Sequence, residues 1–300
     1  MRSLLLALVP LLTLASVPVH AAVEIFACEP EWAALADEIG GDKVSTFSAT
    51  TAFQDAHFIQ ARPSLLARVR RADLVFCTGA NLEIGWLPVL LRQAANAAVA
   101  PGSNGFLDAS QSVRLLDVPT SADRAEGDIH PNGNPHFQLD PRNLPHIAAT
   151  LTERLQRLDS GNAAYYDERL AAFNARWTKA LANWSTKAEN LAGMQVIVHH
   201  SAWVYLEDWL GIREVGQMEP KPGLPPTASH LAGLLDVVQT SDVKAFLRAS
   251  YQNPKAASWL MDRTDIPDIV IPHTVGATDE ASDLYAWFDD IINRLLEVNR

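Results

Sequence analysis

The sequence predicts an α/β protein of two parallel-sheet lobes joined by one long rigid helix, with a metal site in the cleft between the lobes. Three observations lead there. Apolar strand-length runs alternate with helix-length runs in both halves of the chain, the pattern of βαβ units. Residues 163–192 contain neither Pro nor Gly, which suits a spine between two lobes. Four histidines, His57, His136, His200 and His273, fall in loops or just past strand ends, where open α/β sheets bind ligands.

Taken in order, the chain opens with a basic start, an apolar run from Leu4 to Val17 and the ending Val19-His20-Ala21. This is the pattern of a secretory signal peptide over 1–21, since a membrane span takes about 20 apolar residues. No Cys follows the expected cleavage point, which argues against a lipid anchor. An N-terminal lobe is expected over 22–161. Residues 23–28 read as a strand, 29–39 as a helix closed by Gly40-Gly41-Asp42, and 43–48 as a second strand. Asp55-Ala56-His57-Phe58 is a loop, Pro63 opens a helix to 71, and 72–77 is a buried strand. Residues 82–98 read as a helix, and 107–108 and 113–116 are short strand candidates. Residues 127–141 combine prolines, glycines, aspartates, His130 and His136, a composition that excludes regular helix or central strand. A helix is expected over 145–158.

The linking helix over 162–192 carries Tyr165, Leu170, Phe173, Trp177, Leu181 and Trp184 at helical spacings, and ~30 residues would span about 45 Å. The C-terminal lobe, 193–300, repeats the alternation: strand 195–198, helix 203–210, a stiff proline-rich loop around Glu219, helix 230–240 capped by Thr227-Ala228-Ser229, strand 244–249, helix 254–263, strand 269–271 and a terminal amphipathic helix 283–298.

Lys and Arg number 24 against 35 Asp and Glu, a formal net charge of −11. That balance disfavours nucleic acid and anionic membrane surfaces and suits a cation ligand. With no later membrane-length apolar run, a soluble, periplasmic, monomeric protein is expected. Cys28 and Cys77, both near strand ends, leave two readings open: a disulfide, as export permits, or two buried thiols.

Two ligands from each lobe would place a metal in the cleft. Neutral imidazole nitrogen suits Zn²⁺ and its tetrahedral preference, whereas Mn²⁺ calls for more oxygen, so this donor set argues for zinc. Affinity should fall below about pH 6 to 6.5 as the rings protonate. His199 and His200 are neighbours at a strand end and point opposite ways, so at most one faces the cleft. His146 and His230 read as structural. His130 is either an outer-shell partner or an extra ligand. For the fourth ligand His273 is preferred, with Asp279 and Glu219 as alternatives.

At these residues the chain resembles the metal-binding solute-binding proteins of ABC transporters, the group containing ZnuA, TroA and AztC, over essentially its whole length beyond the leader. Asp55-Ala56-His57 with Arg62-Pro63-Ser64 resembles the group's Asp-Pro-His and Pro-Ser segment. Ala72-Asp73-Leu74-Val75 with Gly79 and Glu83 resembles its strand-to-helix segment. Asn134-Pro135-His136 with Leu139-Asp140-Pro141 resembles its Pro-His-x-x-Leu-Asp-Pro signature, the most specific match. Val198-His199-His200-Ser201-Ala202-Trp203 resembles Phe-His-Asp-Ala-Trp and makes His200 the third ligand.

The resemblance implies capture of Zn²⁺ and its delivery to an ABC transporter permease, with no enzymatic activity. His273 stands where many members carry a ligand Asp. The long His- and acid-rich loop of many zinc members is absent, which points to a separate periplasmic zinc metallochaperone as a further partner. Two other readings stay open. One is a secreted zinc hydrolase using three histidines with Glu219 or Asp279 as base, although no His-Glu-x-x-His helix is present. The other is a manganese or iron carrier on the same scaffold.

Overall fold

The computed structural model describes residues 22–120 and 127–299. The signal peptide expected over 1–21 lies outside the described residues. The first half contains β1 (Val23–Ala27), α1 (Pro30–Gly40), β2 (Val44–Ser48), α2 (Pro63–Val69), β3 (Leu74–Cys77), α3 (Leu87–Ala94) and β4 (Phe106–Asp108). Its strands pair in parallel in the order β2-β1-β3-β4. Next come α4 (Leu144–Leu158) and the spine α5 (Ala163–Lys187). The second half holds β5 (Gln195–Val198), α6 (Val204–Leu210), β6 (Arg213–Gln217), α7 (Ala228–Thr240), β7 (Val243–Arg248), α8 (Lys255–Thr264), β8 (Asp268–Val270) and α9 (Leu284–Val298). The order β6-β5-β7-β8, again parallel, repeats that of the first sheet.

Local sequence accounts for most boundaries. The β3 run Leu-Val-Phe-Cys is buried throughout, as a strand covered by helices on both faces must be. Pro30 and Pro63 open α1 and α2 in the first turn, where a missing N–H costs nothing. The Thr227 hydroxyl accepts from the His230 amide at the start of α7, and the Asp283 carboxylate accepts from the Tyr285 and Ala286 amides at the start of α9. These caps satisfy amides that a helix leaves unpaired.

Three expectations are corrected. The helix expected over 82–98 begins at Leu87. Gly79, Ala80 and Asn81 all have positive φ, so the chain enters from a left-handed stretch; residues 82–86 form turns, and Pro88, which lacks an N–H, stands in the first turn of α3. Residues 113–116 form no strand. The spine has 25 residues rather than ~30, about 37 Å at 1.5 Å per residue. Strand β6, which no apolar run announced, is a sheet edge of sequence Arg-Glu-Val-Gly-Gln. Charged residues on an edge strand discourage pairing with other chains.

Spine residues Tyr166, Phe173, Trp177 and Trp184 are fully buried on one face. They belong to the largest buried apolar cluster, which also holds inner-face residues of both sheets and of α1, α4 and α9. The lobes therefore share one core across the spine. Trp177 is its centre, with ring centroids 5.1 Å from Phe173, 5.2 Å from Trp184, 5.0 Å from Tyr285 and 5.7 Å from Phe288. A disulfide joins Cys28 to Cys77, tying the ends of β1 and β3 and deciding between the two readings left open above.

Candidate metal centre

Each sheet sends loops from its strand ends toward the other, and the candidate ligands stand on these loops. His57 follows β2. The Asp55 carboxylate accepts from both the His57 amide, at 3.0 Å, and its ring Nδ1, at 2.7 Å, a turn closed by a side chain. Trp86 Nε1 donates to the Ala56 carbonyl at 2.8 Å and fixes the same loop from below. His136 repeats the device. The Asn134 side-chain oxygen accepts from the His136 amide at 3.0 Å and faces its Nδ1 at 2.9 Å. The Asn134 amide nitrogen donates across the cleft to the Ser201 carbonyl at 2.7 Å. His200 lies two residues past β5, and its Nδ1 meets the Glu219 carboxylate at 2.7 Å.

In all three rings Nδ1 is engaged by an oxygen acceptor, which makes it the protonated nitrogen and leaves the Nε2 lone pair for a metal. The ring centroids form a near-equilateral triangle: His57–His136 5.6 Å, His57–His200 5.9 Å and His136–His200 5.7 Å. One nitrogen from each lies within 4.8 Å of the others. Nitrogens on a tetrahedral zinc with bonds of about 2.0–2.1 Å stand about 3.3 Å apart, so a contraction of at most about 1.5 Å closes the triangle on the ion. Burial holds the His136 ring well below its ordinary pKa, and the neighbouring His57, His200, His130 and His273 add to this. It is therefore neutral and ready to ligate at pH 7. Burial pushes the Asp55 carboxyl up, but the His57 hydrogen bond and charge bring it net below its usual value.

His273 stays outside that trio. It lies three residues past β8 and lines, with His57 and His136, a cavity of about 30 Å³. Its ring packs edge-on to Tyr251 at 4.9 Å, and its Nδ1 is buried with no hydrogen-bond partner among the described residues. Burial pushes it down to about 4, with Asp55 opposing. Of the alternatives, Asp279 is exposed and Glu219 is engaged with His200. His130 touches His57, Nε2 to Nε2, at 3.2 Å. Burial takes His130 to about 4, helped by His57, while a hydrogen bond with the Ala80 backbone pulls the other way. His199 lies outside the trio, its Nε2 3.8 Å from Glu219. His230 bonds the Gln217 carbonyl at 2.8 Å, and His146 is exposed.

Beneath the histidines lies an acidic floor that sequence reasoning missed. Glu29 and Glu31 line the cavity, and Glu83 shares the Thr78 amide with Glu29. All three are buried. Burial raises Glu29 well above the usual carboxylate range, and raises Glu31 and Glu83 to about 7. The Thr274 hydroxyl, beside His273, donates to Glu31 across the cleft. Only the position of Glu29 and Glu31 directly after a buried strand hinted at this.

A family profile described as the zinc-uptake complex component A, periplasmic, matches residues 25–298. The high-affinity zinc uptake protein ZnuA of Bacillus subtilis (strain 168) is 22% identical over 247 residues, 81% of this chain and 76% of its own length. The manganese ABC transporter substrate-binding lipoprotein PsaA of Streptococcus pneumoniae is 20% identical over 254 residues, 82% of this chain and 79% of its own. Among solved structures, a crystal structure of ZnuA superposes with a TM-score of 0.76 at 23% identity, covering 91% of this chain and 99% of that one. A manganese-bound mutant of the periplasmic metal binding protein from Candidatus Liberibacter asiaticus gives 0.74 at 15% identity, covering 92% of this chain and 99% of that one.

Proposed function

Because the chain belongs to the family of the periplasmic zinc-uptake complex component A, and so is a metal-binding solute-binding protein of an ABC transporter, we propose that its own cargo is Zn²⁺. In this reading the protein is exported by its leader, captures the ion in the periplasm as a monomer, and hands it to the permease. A periplasmic zinc metallochaperone supplies the ion. The observation that carries the reading is the trio His57, His136 and His200, each with Nδ1 held by Asp55, Asn134 or Glu219. Three convergent imidazole nitrogens suit zinc, while manganese favours oxygen donors. His273 is our choice for the fourth ligand, since its Nδ1 is buried and, among the described residues, has no hydrogen-bond partner, and the residue lines the same cavity.

A hydrolase needs an open coordination position and a free general base. Asp55 and Glu219 already hold ligand rings, and Asp279 is exposed, so a carrier is the better reading. Calorimetric titration of the metal-free protein tests it. One equivalent of Zn²⁺ should bind with sub-micromolar affinity and resist competition by Mn²⁺, and His136→Ala should weaken binding by about a hundredfold or more. Wild-type binding no tighter than micromolar, or full affinity in the variant, would sink it.

A further inference from the structure

We propose that His57 and His130 form an outward-facing pair that takes up the metal ion first and passes it inward to the trio; this rests on the zinc reading above. Their Nε2 atoms stand 3.2 Å apart, matching the about 3.3 Å between two nitrogens sharing one tetrahedral zinc. His130 is not among the residues whose nitrogens cluster within 4.8 Å. His57 thus belongs to two sets at once, a pair with His130 and a trio with His136 and His200.

The pair faces the route in. His130 and Asp128 help wall a cavity of about 590 Å³ whose rim carries Phe58, 67% exposed, and Ile84, 66% exposed. His57 lines the same cavity, whereas His136 and His200 do not. The Asp128 carboxylate and the −11 charge of the chain draw a cation to that mouth. A hydrated ion that trades two waters for the His57 and His130 nitrogens stays coordinated while it sheds the rest. His136 and His200 then displace His130, with His57 bound throughout. No proton or electron moves, because the entering nitrogens carry lone pairs and the leaving groups are water and one imidazole.

Stopped-flow mixing of the full metal-free chain with Zn²⁺, and of the loaded chain with excess chelator, compares wild type with His130→Ala. The expected result is a fall of about tenfold or more in the association rate. The dissociation rate should fall by a similar factor, since release retraces entry. The visible spectrum of the Co²⁺-loaded variant should match wild type. An unchanged association rate overturns the proposal. So does an altered Co²⁺ spectrum, which would make His130 a resident ligand. Failure of wild type to bind Zn²⁺ would instead remove the zinc reading itself.

Discussion

An imidazole has two nitrogens, and the one that meets a metal is decided by what holds the other. Here Asp55, Asn134 and Glu219 make that decision for His57, His136 and His200. Glu219→Ala should therefore weaken Zn²⁺ binding about 10- to 100-fold without touching a ligand, as read by competition with a chelator of known affinity. The acidic floor gives a different prediction. Glu31 titrates at about 7 in the fold because burial outweighs its hydrogen bond from Thr274, against 4.5 as the ordinary value. The folded state thus holds the extra proton between these values. Its contribution is complete below the lower value and is lost as pH rises through the higher one. Glu31→Gln should stabilise the metal-free protein at about pH 8 by on the order of 2 kcal/mol, read as a higher melting temperature, and leave it nearly unchanged at about pH 4.5. Two of the three orienting groups lie where local sequence could have shown them, although the sequence reading did not name them as such. Asp55 and Asn134 each stand two residues before a histidine, and side-chain turns are local. Glu219 lies nineteen residues beyond His200, across a strand that composition does not reveal, so it reads as an alternative ligand or base in a loop and not as the partner of His200.

Elements were legible wherever burial wrote an apolar period, and illegible where an edge or a strained turn overrode it. β1, β3, β5, β7 and the face of α5 fall in the first class. β6 and the late start of α3 fall in the second, through edge polarity and three consecutive left-handed residues. Packing and covalent linkage each give a prediction at this scale. Trp177 is fully buried and donates from Nε1 to the Pro141 carbonyl at 2.8 Å, closing the loop that carries His136. Trp177→Ala should cost about 3–5 kcal/mol in chemical denaturation. The disulfide spans 49 residues of sequence, for which chain entropy gives about 4 kcal/mol at most. The double variant Cys28→Ala with Cys77→Ala should lose about 2–4 kcal/mol, again by denaturation.

At the scale of the whole molecule, the shared core argues against a wide hinge. The spine packs against α1 and α4 on one side and α9 on the other. Trp287 Nε1 on α9 holds the Pro272 carbonyl beside His273 at 2.8 Å, the counterpart of Trp177 on Pro141. Small-angle scattering of the metal-free and Zn²⁺-loaded protein should give radii of gyration that coincide within error; a clear contraction on loading would contradict it. Two lobes, a spine and a cleft were foreseeable from alternation and one uninterrupted run. The single core was not, since sequence periodicity reveals which face is buried and not what buries it.

The Asn134 amide has two ends that answer to different lobes: its oxygen keeps the His136 ring in position, and its nitrogen is tethered to the Ser201 carbonyl opposite. A partner that prises the lobes apart by the length of one hydrogen bond cuts that tether and lets the amide turn, and His136 loses the contact that aims it. In the proposed site, grip on the ion would in this way be geared to the separation of the lobes, and a transporter would need to supply only a small displacement at the surface to unlock the cargo.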